Sequence, residues 1–281
     1  MKDRLLTFIS PIIVLIAWEL LVVTGVLDAR FFPDPSEVFG RLIELLVDGT
    51  LITATALTLR RLIVGFLLAV VPAIVIGVLI GINRTSRLIL SPLIASIYPI
   101  PKIALVPMVV ILFGIGETSK YVIVIISVFF LVVINTVAGV MNVDTRYFDI
   151  ARNNGARGWT LVRTVAIPAA LPNILTGINL GLGFALTVIV GTELLLPQGG
   201  LGAMIWEGYL LYDIPTIFAV LIVVALLGWI FTVAVVELER QLVPWRSTEI
   251  QQSRSLGDEP RLRWFVRIWW MAMRPFSFTA S

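Results

Sequence analysis

The feature that most constrains this chain is a series of apolar stretches, each about as long as a lipid bilayer is thick. A helix needs roughly 20 mostly apolar residues to cross the hydrocarbon core. Six such stretches occur, at residues 8–27, 62–82, 88–113, 121–140, 174–196 and 217–236. The third is interrupted by prolines. The pattern predicts an all-α, polytopic membrane protein with about six transmembrane helices.

The composition agrees with this prediction and excludes several kinds of site. Hydrophobic residues make up 58% of the 281 residues, and charged residues only 14%, against about 25% in soluble domains. Cysteine and histidine are both absent. That excludes disulfides, thiolate nucleophiles, histidine general bases and Cys or His metal ligands. The net charge of +3 comes from basic residues beside apolar stretches, which indicates membrane topology rather than nucleic-acid binding.

The placement of basic residues predicts the orientation. If the amino terminus is cytoplasmic, fifteen of the 21 basic residues fall in cytoplasmic segments. These are Lys2, Arg4, Arg84, Arg87, Arg146, Arg152, Arg157, Arg163 and the seven arginines after residue 236. The outer segments hold Arg30, Arg41, Arg60, Arg61 and Lys120, while Lys102 lies inside the third stretch. Cytoplasmic loops are enriched in Lys and Arg, so both termini are predicted to be cytoplasmic. The first stretch is long and contains Glu19, which favours a retained helix over a cleaved signal peptide.

Two regions outside the spans carry amphipathic patterns. Residues 36–46 place apolar side chains at helical spacing after Ser36, a good N-cap. This predicts a helix that either lies on the membrane surface or packs on the bundle. We assign residues 1–245 to one transmembrane domain and 246–281 to a cytoplasmic tail, partly disordered. Residues 261–273 of the tail mix Arg and Trp, which suits a membrane-surface helix or a partner subunit.

The cytoplasmic loop 141–171 is longer than two joined helices require. Its pattern predicts two short helices. Asp144 caps the first, which runs to about Asn153, and Gly155 permits the turn. The second begins near Gly158 and stops before Pro168. Small Ala151 and Ala156 would leave a shallow knob for a partner protein.

This loop resembles the EAA motif of the permeases of ATP-binding-cassette (ABC) importers. Asp149, Ala151 and Gly155 match the motif, and Ile167-Pro168 follows at the expected distance; Asp replaces Glu at 149 and Ile replaces Ala at 150. Further segments resemble the nitrate, sulfonate, taurine and bicarbonate branch of these permeases. They are residues 33–38, 98–107 and 113–120, and Glu193 followed by residues 199–202. The resemblance covers roughly residues 10–245.

The resemblance implies a type I, MetI-like permease in a bacterial inner membrane. Such a chain would form a pathway for a small solute, such as nitrate, a sulfonate or taurine, or bicarbonate. It would work with a second permease subunit in a homodimer, two ATPase subunits and an extracytoplasmic solute-binding protein. The implied ATPase-coupling residues are Asp149, Ile150, Ala151, Arg152, Gly155, Ala156 and Arg157. The sequence contains no phosphate-binding P-loop motif. We therefore expect no cofactor on this chain and no enzyme activity, with ATP and Mg²⁺ on the partner ATPase.

Polar residues inside the spans are candidates for the pathway, because charge in a membrane is costly. Lys102 lies among Pro99, Pro101 and Pro107 and would either face the pathway or reach the outer interface. Glu193 would either gate the pathway or anchor the loop after it. Asn135 and Asn179 would be solute ligands or helix-to-helix hydrogen bonds, and Glu19 an interhelical hydrogen bond.

Two other classes of protein compete with a permease. A secondary transporter or channel would not need the coupling loop. An intramembrane protease would need a histidine or paired aspartates, and none of the spans contains them.

Overall fold

The computed structural model describes residues 2–243, with side chains from residue 13 onward, and all regular secondary structure in this part of the chain is helical. The predictions for the tail after residue 243 lie outside the described residues. The helices are α1 Lys2–Val23, α2 Pro35–Val47, α3 Thr50–Ile82, α4 Arg84–Ile97, α5 Val106–Phe113, α6 Glu117–Met141, α7 Thr145–Asn153, α8 Trp159–Leu161, α9 Ile167–Leu195, α10 Leu201–Leu211 and α11 Ile214–Leu242.

Four helical segments are long and apolar enough to cross a membrane. They are Thr50–Ile82, Glu117–Met141, Trp159–Leu195 and Ile214–Leu242. A fifth span is possible if Arg84–Ile97 and Lys102–Phe113, which meet at an angle of 88°, count as one broken segment. The first predicted stretch, 8–27, ends early at Val23, and its described apolar part, Ile13–Val23, is shorter than a span. The residues with described side chains thus hold four spans, or five with the broken segment counted as one.

Prolines cause the break in the third predicted span. α4 ends at Ile97, a short 3₁₀ turn covers Lys102–Leu105, and α5 begins at Val106. Pro99 and Pro101 lack the backbone N–H that a continuing helix needs, so the chain must turn there. The predicted interruption is confirmed.

The centre of the bundle is formed by α3, α6 and α9, which meet at glycines. A Cβ placed on Gly77 would lie 2.6 Å from the Cβ of Thr136, and one on Gly177 would lie 2.7 Å from the Cβ of Asn135. Buried valines of α6 fill the space between these contacts. Both glycine repeats, 77–81 and 177–181, serve close helix packing.

The helix α2 packs on the bundle. Val38 and Leu45 are buried against α3, α10 and α11, while Ile43 and Val47 are exposed on the other side. The predicted start is wrong. The helix begins at Pro35, and Ser36 instead donates its hydroxyl to Glu19 Oε1 at 3.2 Å. Proline suits the first turn because no helical N–H is needed there. Glu19 therefore joins α1 to α2, as expected.

An ion pair fastens α2 to the start of α11. Arg41 Nη2 lies 2.9 Å from Asp213 Oδ2, and the hydroxyl of Thr216 donates to the same oxygen at 2.7 Å. Burial raises the pKa of Asp213, but hydrogen bonds from Thr216 and the charge of Arg41 outweigh it and hold the pKa below its ordinary value.

In the loop 141–171, the first predicted helix is confirmed, but the predicted end of the second helix is wrong. α7 starts after Asp144 and ends at Asn153. The second helix does not stop before Pro168. It passes through a π-helical turn at Val162–Ala166 and continues as α9. Pro168 falls in the first turn of α9, directly after the wider π turn, where its missing N–H is tolerated.

Candidate functional site

The first candidate surface is the hairpin formed by α7 and the turn after it, residues 144–158, called here the coupling hairpin. Asp144 Oδ1 accepts from the backbone N–H of Arg146 at 2.9 Å and caps the helix. At the other end, Ala156 N donates to Ala151 O at 3.0 Å and Gly155 N to Arg152 O at 2.9 Å. Gly155 has φ = +86°. This is a Schellman closure, which fixes the turn's shape.

The coupling hairpin and the residue that follows it expose apolar side chains. Ile150 is 60% exposed and Tyr147 61%, and Trp159, the first residue of α8, is 69% exposed. Only Phe148 reaches inward, against Val140 and Val162 of the bundle. Ala151 and Ala156 are half-buried at the closure, so the projecting residue is Ile150 rather than the predicted pair of alanines.

Charged groups border this apolar surface. Arg152 and Asp149 form an exposed pair, with Nη1 and Oδ1 3.5 Å apart. Arg157 is exposed in the turn. All seven residues of the predicted coupling set therefore lie in one compact hairpin.

The opposite end of α9 holds a buried ion cluster centred on Arg61 of α3. Its guanidinium is 1% exposed and contacts two carboxylates. Nη1 lies 2.7 Å from Glu193 Oε1, and Nε lies 3.0 Å from Glu117 Oε2. Such a pair is tolerated in an apolar setting only when the remaining polar atoms are also bonded.

The remaining bonds of this cluster hold the loop between α9 and α10. Arg61 Nη1 also donates to Gly199 O at 2.6 Å, and Nη2 donates to Gln198 O at 2.9 Å. Glu193 Oε2 accepts from Thr58 Oγ1 at 2.8 Å and from Gly202 N at 3.1 Å. Since Glu193 is fully buried in these bonds, the geometry supports its anchoring role; gating stays a prediction.

Arg61 is the residue that the sequence argument missed. Arg60 and Arg61 precede the predicted start of the second span at residue 62, so both were counted in an outer loop. α3 in fact begins twelve residues earlier, at Thr50. The sequence does offer one signal: Glu117 precedes the fourth apolar stretch and Glu193 lies inside the fifth, and a carboxylate in either place needs a cation nearby.

Lys102 lies in a third position, at the break between α4 and α5. Its side chain is 5% exposed. Nζ donates to Ile97 O at 3.1 Å and to Tyr98 O at 3.0 Å, and lies 5.2 Å from the ring centre of Phe130. A cavity of about 250 Å³ adjoins it, lined by Tyr98, Pro99, Ile100, Pro101, Lys102, Ser127 and Phe184.

The two asparagines proposed for the pathway lie elsewhere. Asn135 Nδ2 donates to Leu131 O of its own helix at 2.8 Å, and its Cβ faces Gly177. Asn179 is half-buried on α9. Neither lines the cavity beside Lys102.

Comparison with known proteins decides the class. Residues 73–247 match the family described as the inner membrane component of binding-protein-dependent transport systems. This chain belongs to that family. It is therefore a transport permease rather than an enzyme, as expected.

Similar curated proteins place this permease in the ABC importer group. A probable ABC transporter permease of Brucella abortus is 35% identical over 229 residues, covering 82% of this chain and 90% of its own. The putative aliphatic sulfonates permease SsuC of Bacillus subtilis is 32% identical, covering 85% and 86%. The taurine permease TauC of Escherichia coli is 31% identical, covering 85% and 90%. These relatives confirm the predicted branch through its sulfonate and taurine members.

A solved structure supports the fold. The inward-facing MetNI methionine ABC transporter matches with a TM-score of 0.62 at 20% identity, covering 70% of this permease and 98% of the matched chain. The predicted MetI-like fold of a type I importer permease is confirmed.

Proposed function

We propose that this permease forms the pathway for a small solute with a sulfonate group, such as taurine or an alkanesulfonate, and is driven by separate ATPase subunits that bind its coupling hairpin. The observation that carries the proposal is the exposed apolar surface of Ile150, Tyr147 and Trp159. Exposed apolar patches bordered by polar groups mark interaction sites. The names of the sulfonate and taurine relatives support the class of solute.

The charge pattern supports a cytoplasmic position for the hairpin. Arg146, Arg152, Arg157 and Arg163 all lie in or next to it. Such clusters remain on the cytoplasmic side during insertion, where an ATPase and ATP are available. The proposed assembly also contains a second copy of this permease, an extracytoplasmic solute-binding protein, and ATP with Mg²⁺ on the ATPase.

The test is affinity purification of tagged permease from mild detergent, with the ATPase that co-purifies identified and quantified. We expect the wild-type permease to retain the ATPase and Ile150→Glu to lose at least nine-tenths of it. A charge at this position would be buried in the contact without a partner. Thr145→Glu is the matched control. It adds the same charge to the amino-terminal turn of α7, where a carboxylate is favourable.

Two results would contradict the proposal. One is equal ATPase recovery with wild-type and Ile150→Glu permease. The other is solute transport in liposomes by this chain alone and without ATP, which would establish a secondary carrier or channel.

A further inference from the structure

Lys102 is a buried cation with no carboxylate beside it. Its Nζ bonds only to the carbonyls of Ile97 and Tyr98, at the carboxyl end of α4. The partial negative charge of a helix end stabilises a cation, but less than a full countercharge does. An ammonium group has three N–H donors, so one donor remains for another acceptor.

The two other buried cations of the described chain have acidic neighbours. Arg61 contacts Glu117 and Glu193 directly. Lys120 lies within the electrostatic reach of the same two carboxylates. Among the described residues, Lys102 forms no ion pair; its Nζ contacts only the two carbonyls and the ring of Phe130. Lys102 therefore lacks the carboxylate neighbours that Arg61 and Lys120 have, although Nζ of Lys120 makes no hydrogen bond of its own.

The cavity beside Lys102 can hold a small ion. Its volume is about 250 Å³. A water molecule occupies about 30 Å³ of liquid, so the space suits a solute of a few heavy atoms. Phe184 and the prolines make its walls largely apolar. Ser127 gives its hydroxyl to Ile123 O of its own helix at 2.6 Å. Lys102 is thus the only side chain with a formal charge among the residues that line this cavity.

We propose that Lys102 and this cavity form an anion subsite that takes the sulfonate head group of the transported solute during its passage. The inference rests on the proposed function and adds a specific residue to it. The anion supplies the countercharge that Lys102 lacks, while the apolar wall faces the short alkyl part. The same chemistry would admit the head group of an anionic lipid.

The test measures binding of radiolabelled ethanesulfonate to the permease–ATPase complex in phosphatidylcholine nanodiscs at constant ionic strength. We expect saturable binding to wild-type complex. Lys102→Met should weaken it at least tenfold, and Lys102→Arg should keep it within threefold. Neutral ethanesulfonamide should not compete. A lysine that merely caps α4 would not make binding depend on the charge of the ligand.

Arg87→Met is the matched control. Arg87 also donates to a carbonyl at a helix end, from Nη1 to Gly81 O at 2.9 Å, but it does not line the cavity. We expect it to bind ethanesulfonate like the wild type.

Several outcomes would overturn the subsite. Two of them are unchanged binding in Lys102→Met and equal competition by ethanesulfonamide. A third is loss of ethanesulfonate binding when phosphatidylglycerol is added, which would assign the cavity to lipid. Another is the absence of binding in a complex that still imports ethanesulfonate with ATP. This last result would leave the proposed function intact, whereas failure to recover any ATPase would contradict the proposed function itself.

Discussion

At the scale of single residues, the most deeply buried ion pair in the described part of the chain joins Arg61 to Glu193. The two residues are separated by 132 positions, and neither side chain is more than 1% exposed. A buried pair of this kind adds little compared with apolar packing, but removing one partner leaves the other charge without compensation. The pair instead holds the loop between α9 and α10 in place, because the side chains of Arg61 and Glu193 also bond to the backbone of residues 198–202.

Glu193→Gln is expected to destabilise the permease by about 3 kcal/mol, since Arg61 loses one of its two countercharges in a buried site. Thermal unfolding in detergent measures this loss. Glu207→Gln changes an exposed carboxylate in the neighbouring helix α10 and should stay within about 0.5 kcal/mol of wild type. If the two variants unfolded at the same temperature, the anchoring role of Glu193 would be wrong.

At the scale of helices, the close contacts between α3, α6 and α9 depend on glycines, which have no side chain to keep the backbones apart. Lipid offers no hydrophobic drive for two helices to associate, so close van der Waals packing has to supply it. Gly77 on α3 lets the backbone approach Thr136 and Val133 of α6.

Gly77→Ala tests this packing. Its Cβ would lie 2.6 Å from Thr136 Cβ and 3.2 Å from Val133 O, so the helices must separate. Overpacking of this kind costs about 1–3 kcal/mol. Gly183→Ala is the control, because a Cβ there meets nothing within 4 Å. The yield of folded permease and its unfolding temperature should fall for Gly77→Ala alone; equal loss in both variants would contradict the assignment.

Local signals in the sequence predicted the helical class, the broken third span and the first loop helix. Asp144, Gly155, Pro99 and Pro101 each act on the backbone next to them, so their effects could be predicted. Arg61 was missed because its partners come from distant parts of the chain, which hydropathy does not pair. The stop at Pro168 was wrong because a π-helical turn, which has no simple sequence signal, lets the helix continue.

At the scale of the whole molecule, the coupling hairpin and the Arg61 cluster lie at opposite ends of the bundle. α9 begins beside the hairpin, and Glu193 lies two residues from its end. The basic residues predict that the hairpin end faces the cytoplasm and the cluster end faces outward.

Labelling with a membrane-impermeant maleimide tests this orientation directly, because the chain has no natural cysteine. Exposed Gln198 and Ile150 are the positions to replace. In cells that express the permease without its ATPase, we expect Gln198→Cys to react in intact cells and Ile150→Cys to react only after the membrane is opened. The reverse pattern would invert the topology and remove the hairpin from the ATPase side.

The continuation of the helix through Pro168 has a mechanical consequence. Trp159–Leu195 is one uninterrupted segment of 37 residues, which at 1.5 Å per residue makes a rod of about 55 Å. Tilting a rod of that length by about 5° moves its far end by about 5 Å, roughly one helical turn. A tilt that begins at the hairpin end would thus also move the loop that Glu193 and Arg61 hold in place.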